Sequence, residues 1–274
     1  MPHPAPLPAA IDERLRARSA IALEELQATA ALRTRIDRKY VVTWDVFVAV
    51  LDRLGDEHRA LEIEGKRTFR YETIYFDSVT LGAYRAHMQR RRRRYKVRSR
   101  RYVDSGLHFF EIKVKGARGE TIKHQLPYDA DSHGHITEEA MAFLAERLRE
   151  AYPRLSVPQL AATVHTNYER MTFARGPERL TCDFNLTFSD GDIETPGMAR
   201  DYVILESKCE GGLGAADREL RRLGVQPVSC SKYCVGVGLL HQDVKVNELR
   251  WLLSRYFHWD PTTGLPPQGV LANA

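Results

Sequence analysis

Long apolar runs, paired cysteines and nucleic-acid signatures are all missing from this chain. No stretch is long and apolar enough to span a bilayer. The first ten residues lack the basic segment and apolar core of a secretory leader, so nothing directs the chain to export. The four cysteines, Cys182, Cys209, Cys230 and Cys234, contain no C-x-x-C pair. They read as reduced thiols of a cytoplasmic protein, not as a disulfide or metal framework. No zinc-finger spacing, no helix-turn-helix signature and no stacking set of aromatics beside the basic residues is present, which argues against nucleic acid as partner.

What the chain does have is locally concentrated positive charge. Its 41 Lys plus Arg are offset by 36 Asp plus Glu, a net charge of only +5. The cations nevertheless cluster between Arg90 and Arg101, and a cluster shapes the local field more than a sum does. At 274 residues and 43% hydrophobic content the chain has ample length for one large core. No repeat and no composition shift marks a linker, so a single domain over 10–257 is expected, with disordered ends at 1–9 and 258–274.

Apolar spacing predicts a helix over 11–32, a strand over 34–42 and a helix over 44–54 capped by Thr43. Strands follow at 59–63 and 67–76, broken by Gly65, with 77–87 helical or irregular. Three strands at 92–103, 107–115 and 120–128, joined by short glycine-containing turns, form an antiparallel meander. A helix over 138–152 precedes a hairpin of 162–174 and 180–188, turned at Gly176 and Pro177, and a strand over 201–209. Helices are expected at 211–223, 231–240 and 246–257.

The strands divide into faces. Glu111, Lys113 and Lys115 share one parity while Phe110, Ile112 and Val114 share the other. Lys123 and Gln125 alternate with Ile122, His124 and Leu126. Arg179, Thr181, Asp183, Asn185 and Thr187 alternate with Leu180, Cys182, Phe184, Leu186 and Phe188. Glu206 and Lys208 oppose Leu205 and Cys209, and Arg35, Asp37 and Lys39 share a parity in the first strand. Two arrangements satisfy this pattern. One is a sheet with its charged face in water. The other is a closed sheet whose charged faces line a wet tunnel. The polar face carries Arg98, Arg100, Lys113, Lys115, Lys123, Arg179 and Lys208 against Glu111, Asp183 and Glu206. So one-sided a face calls for an anionic ligand, and the absence of base-reading residues makes it a linear one.

Eight segments in order carry a resemblance: Arg38 to Tyr40, Thr73 to Asp77, Lys96 to Tyr102, Phe110 to Lys113, Asn167 to Arg170, Arg179 to Asp183, Ile204 to Lys208 and Ser231 to Gly236. Together they resemble the VTC domain, the polyphosphate-polymerase branch of the triphosphate tunnel metalloenzymes, or CYTH-like proteins. The resemblance implies an α+β fold built on an antiparallel β-tunnel, a closed barrel with a basic interior and helices packed outside. It implies catalytic roles for Arg98, Arg100, Lys113, Arg170 and Glu206. Phosphate contacts would come from Lys39, Arg98, Arg100, Lys113, Lys123, Tyr168, Arg170, Lys208, Ser231 and Lys232. Glu206 would hold Mn²⁺ or Mg²⁺. The implied reaction moves the γ-phosphate of ATP onto a growing polyphosphate chain. A non-catalytic polyphosphate-binding module and an inorganic triphosphatase are the alternatives within the same resemblance.

The pattern departs in two places. Hydrolytic tunnel enzymes resembling this chain begin with E-x-E-x-K, whereas here the strand reads Arg35, Asp37 and Lys39 at those positions, which favours a longer anion over triphosphate hydrolysis. Ser229 stands where the eukaryotic polymerase pattern has a lysine. His108, His124 and His165 have no ligand-like partners and are read as structural. Arg90 to Arg94 are read as a solvated patch or as a guide for polyphosphate towards an opening, and coupling synthesis to transport would require another, membrane-embedded protein.

Overall fold

The computed structural model describes residues 6–30, 36–191, 193–195 and 197–260. Arg35 and most of the two terminal segments, 1–5 and 261–274, lie outside the described residues. In chain order the elements are α1 (Ala9–Ala17), β1 (Ala20–Ile21), α2 (Leu23–Ala30), β2 (Ile36–Thr43), α3 (Trp44–Leu54), β3 (Arg59–Leu61), β4 (Phe69–Asp77) and α4 (Gly82–Met88). They continue with β5 (Tyr95–Tyr102), β6 (Leu107–Lys115), β7 (Thr121–Pro127), α5 (Glu138–Ala151), β8 (Ala161–Arg175), β9 (Glu178–Ser189), β10 (Glu194–Thr195) and β11 (Tyr202–Cys209). Three helices close the series: α6 (Ala215–Arg222), α7 (Lys232–Leu240) and α8 (Arg250–Tyr256).

The fold is α+β, with one large sheet whose main path is antiparallel and runs β2-β11-β9-β8-β4-β5-β6-β7. The path has two ends, β2 and β7, and no ladder joins them among the described residues. The expected hydrogen-bonded closure into a barrel is therefore not found. The sheet instead curls, because both ends of the path line the same cavity and because Lys113 of β6 feels the charges of Glu206 and Lys208 five strands away on β11.

Period-two alternation supplies the outer face and helical period supplies its cover. Thr43 caps α3 by accepting the Val46 N–H at 3.4 Å, as its position before an apolar-periodic run demands. Phe47, Val50, Leu51 and Leu54 then fall on one stripe and pack with Val42, Leu180, Cys182, Val203 and Leu205. On the other half of the sheet, Ala140, Leu144 and Leu148 of α5 cover Val97, Phe110, Ile112 and Val114.

Four further expectations are corrected. The helix expected over 11–32 breaks at Arg18, whose guanidinium donates to the carbonyls of Leu51 (2.5 Å), Gly55 (2.5 Å) and His58 (3.1 Å), while β1 pairs in parallel with β3. The unbroken alternation through 180–188 does not stay on one pair of faces. A register shift opposite Asn167 and Glu169, with Asn185 at φ 51°, sends Leu180, Cys182 and Phe184 to the core under α3 but Leu186 and Phe188 to the core around α7. Finally, not every helix is outside. α7 packs against Val164 and Phe188, on the strand face that carries Tyr168, and Gly236 permits the approach because a Cβ there would meet Val164 Cγ1 at 2.4 Å. Trp259, assigned to a disordered tail, is buried at 6% exposure in that core.

Candidate functional site

The curled sheet encloses a cavity of about 890 Å³. Strand alternation dictates its lining. Asp37 and Lys39 come from β2, Tyr71 and Tyr75 from β4, Lys96, Arg98 and Arg100 from β5, and Lys113 from β6. Lys123 and Gln125 come from β7, Tyr168 and Arg170 from β8, Arg179 and Thr181 from β9, and Glu206 and Lys208 from β11. The N-terminus of α7 adds Ser231 and Lys232. All eleven residues that the resemblance implied are thus brought together: Lys39, Arg98, Arg100, Lys113, Lys123, Tyr168, Arg170, Glu206, Lys208, Ser231 and Lys232. Twelve Lys and Arg line the cavity against four Asp and Glu, so the space between them favours an anion strongly.

Three carboxylates, Glu111 and Asp183 buried and Glu206 half-buried, hold the cations in place. Glu206 faces Lys39 across the strand pair at 3.8 Å and Lys208, two residues along its own face, at 3.3 Å. Burial pushes its carboxyl up, yet Lys39, Lys208, Arg170 and Lys113 together bring it well below the ordinary range. Glu111 has no solvent exposure and accepts Arg98 Nε at 2.6 Å and Gln125 Nε2 at 2.7 Å, with Lys123 at 3.7 Å. Burial opposes ionisation there too, but Arg98 and Arg100 outweigh it and hold the carboxyl down. Asp183 accepts Arg170 through Nε at 2.5 Å and Nη2 at 2.8 Å and also accepts Lys232. Against the cost of burial, Arg170 and Lys232 lower it to about 2.

Lys113 and Lys96 are crowded by neighbouring cations. Arg98 above all, together with burial, pushes Lys113 well below the usual lysine range, Glu206 only partly opposing. Burial lowers Lys96, whose ammonium donates to Ser231 Oγ at 3.0 Å. Two hydroxyls on the wall, Tyr168 Oη and Thr181 Oγ1, are buried and find no hydrogen-bond partner among the described residues. A phosphate oxygen that reached either one after a side-chain shift would satisfy it, and a phosphate in the cavity would offset the crowding of Lys113.

Aromatic rings steer the arginines. Tyr71 and Tyr168 stack with centroids 5.1 Å apart and planes 9° apart. Arg170 lies over both rings, at 5.1 and 5.4 Å, Arg100 lies 5.6 Å from Tyr71, and Lys232 lies 4.4 Å from Tyr168.

The model of the VTC domain family matches residues 34–241, which contain every strand of the main path. The chain belongs to the VTC domain family. Similar solved structures include a candidate adenylate cyclase from Bacillus halodurans, at 15% identity over 73% of this chain and 94% of that one, with a TM-score of 0.46. A candidate adenylyl cyclase from Hippeastrum, described as having a dominant triphosphatase activity, has 14% identity over 73% and 94%, with a TM-score of 0.45. A conserved hypothetical protein from Pyrococcus furiosus has 10% identity over 70% and 91%, with a TM-score of 0.39. No curated protein matches the chain.

Sequence reasoning missed several residues of this VTC domain's cavity. Lys96 shares the parity of Arg98 and Arg100, so alternation alone could have placed it on the wall. Asp183 and Glu111 were counted only as minority charges, and their role as holders of two cations each depends on register. The aromatic lining from Tyr71, Tyr75 and Tyr102 was not anticipated either. Tyr71 and Tyr75 lie on β4, separated in sequence from the Arg98, Arg100 and Arg170 groups that they contact. Among the described residues no helix is long and apolar enough to cross a membrane.

Proposed function

We propose that this VTC domain is a metal-dependent polyphosphate polymerase, transferring the γ-phosphate of ATP to the end of a linear polyphosphate chain. The observation that carries the reading is one cavity lined by twelve Lys and Arg against four acidic residues, with the buried hydroxyls of Tyr168 and Thr181 lacking partners among the described residues. Such a wall suits phosphoryl transfer, which needs alignment and charge neutralisation more than covalent help. The closed-tunnel form of the fold belongs to the same proposal, the seam between β2 and β7 being spanned by side chains and ligand in place of a ladder.

A terminal phosphate oxygen of the acceptor attacks the γ-phosphorus, the bond from that phosphorus to the β–γ bridging oxygen breaks, and ADP leaves with the bond's electron pair. The acceptor oxygen is already anionic, so no general base is required. Arg98, Arg100 and Arg170 hold non-bridging oxygens through planar guanidinium groups, fixed by Glu111, Thr73 and Asp183. Lys39, Lys113, Lys123, Lys208 and Lys232 neutralise the chain along its length, Ser231 at the α7 N-terminus adds a polar contact, and Tyr168 donates its free hydroxyl.

The donor set fits a divalent ion that arrives with its phosphates. Glu206 offers one hard oxygen, and among the described residues no group of three His, Cys, Asp or Glu side chains comes together that could hold a metal unaided. Mg²⁺ and Mn²⁺ suit one or two carboxylates plus phosphate oxygens. When bound, the ion supplies Lewis-acid polarisation of the transferred group.

Purified protein with ATP and Mn²⁺ or Mg²⁺ is expected to form acid-insoluble phosphate polymer, and Glu206→Ala to stop it. No polymer with either metal would refute the reading. The pairing of Glu206 with both Lys39 and Lys208 favours a second reading, a polyphosphate-binding module without turnover. That reading predicts salt-sensitive polyphosphate binding with ATP left intact.

A further inference from the structure

The arginine run before β5 takes no part in the cavity, and its contacts leave its charge uncompensated. Arg91, Arg92 and Arg93 are exposed. Arg91 Nε donates to Gln89 Oε1 at 2.7 Å, Arg92 to the Ala117 carbonyl at 3.2 Å and Arg94 to the Arg91 carbonyl at 2.5 Å. Those acceptors are neutral. Within the run, only Arg90 has a carboxylate partner among the described residues, Glu248 at 2.7 Å.

The run is continuous with the cavity wall. Lys96 and Lys113 are a cross-strand pair on that wall. Two residues further out on the same faces come Arg94 and Lys115, joined by the Lys115 N–H donating to the Arg94 carbonyl at 3.2 Å. Tyr152 Oη fixes this end, lying 2.8 Å from both the Arg94 and Lys115 carbonyls. Lys115 pairs in register with Thr121, and Thr121 lines the cavity, so the cavity reaches the level of Lys115. Lys96, Arg94 and Lys115 also converge on one ring: burial first, then these three charges, hold His87 down to about 3. Beyond them, Arg92 reaches over the β6–β7 turn, which carries exposed Arg118.

The opposite rim differs. It carries Phe69, Tyr102 and Leu107, and its Lys66 and Arg70 are matched by Glu64 and Asp104, Asp104 pairing with Lys66 at 2.9 Å. The cationic excess therefore leaves the cavity in one direction.

The lined stretch of β6, from Leu107 to Lys113, spans about 20 Å. A linear chain longer than that must emerge. We propose that Arg91, Arg92, Arg93 and Arg118 form an external track that binds the emergent part of a linear polyphosphate chain as it leaves the Lys96–Lys113 end of the cavity. The proposal rests on the polyphosphate reading of the cavity. Guanidinium groups suit the track because they pair with phosphate oxygens in a planar, bidentate way and hold water loosely. Exposure makes the attraction additive over several arginines and sensitive to salt.

The test compares the full chain with an Arg91→Ser, Arg92→Ser, Arg93→Ser triple variant, using tripolyphosphate, long-chain polyphosphate and single-stranded RNA as probes. The substituted side chains are exposed, and an unchanged melting temperature confirms the fold. The variant is expected to bind long chains about tenfold more weakly at low salt. The slope of log affinity against log salt should be shallower by about two. Tripolyphosphate affinity and polymer formation from ATP should be retained. Unchanged long-chain affinity, an equal loss for tripolyphosphate, or a loss confined to RNA would each overturn the track. Wild-type protein that binds neither phosphate probe would overturn the cavity reading, and the track with it.

Discussion

Arg170 on β8 and Asp183 on β9 are direct cross-strand partners, joined by two parallel bonds of 2.5 and 2.8 Å. Asp183 is 1% exposed and also accepts Lys232 from the α7 N-terminus, so one carboxylate ties two strands and a helix to the cavity wall. Replacing it leaves two half-buried cations short of a partner. Asp183→Asn is expected to cost about 3–5 kcal/mol of stability, read from the denaturant midpoint. The acid limb of the wild type reports the same group. Its carboxyl falls from an ordinary 3.8 to about 2, so its contribution is complete above pH 3.8 and is lost as pH falls through about 2. The variant's acid unfolding should lack that component.

Glu206 offers a sharper separation of binding from turnover. Glu206→Gln keeps the shape and removes the charge that Lys39 and Lys208 now neutralise. Polymer formation should cease, while polyphosphate should bind several-fold more tightly at low salt. Weaker binding by the variant would show that Glu206 positions the lysines and does not compete for them.

Tyr168→Phe removes a buried hydroxyl that has no partner among the described residues. Thermal stability without ligand should be unchanged or slightly higher, since no hydrogen bond is lost. Tripolyphosphate affinity should fall about tenfold or more, the worth of a hydrogen bond to a charged group. Calorimetry on both proteins checks it.

Lys113 makes binding depend on pH. Arg98 and burial hold its affinity for a proton well below normal, and burial lowers Lys96 and Lys123 as well. These groups lose charge as pH rises through their lowered values, and a bound phosphate restores their protons. Affinity should therefore fall from neutrality towards the ordinary lysine range, about pH 10, with net proton uptake on binding. Titration in buffers of different ionisation enthalpy measures the uptake, and Lys113→Gln should reduce it.

Gly236 is where the fold admits α7 to the cavity side of the sheet. A methyl group there would meet Val164 Cγ1 at 2.4 Å and the Phe188 ring at 2.8 Å. Gly236→Ala should cost about 1–3 kcal/mol in a denaturant titration and weaken phosphate binding by displacing Ser231 and Lys232.

Much of this molecule was legible in the chain. The span of β6 matches its sequence reading residue for residue, and α3 begins at the cap that Thr43 announces. Both rest on local rules: a two-residue alternation, and a side-chain oxygen before an apolar stripe. The first helix was misread for a non-local reason, since the acceptors that take Arg18 lie more than thirty residues away. The faces of β9 were misread because a bulge adds a residue to the count without leaving a mark in the alternation of 180–188.

The sequence by itself determined which side chains share a face and that the charged face is mostly basic, because parity along a strand is a property of the backbone alone. Only the tertiary structure decided that Lys39 and Glu206 of one sheet end would face Lys113 and Arg98 of the other across one cavity. Curl, register and the bulge set those distances, and each arises from packing between segments far apart in the chain.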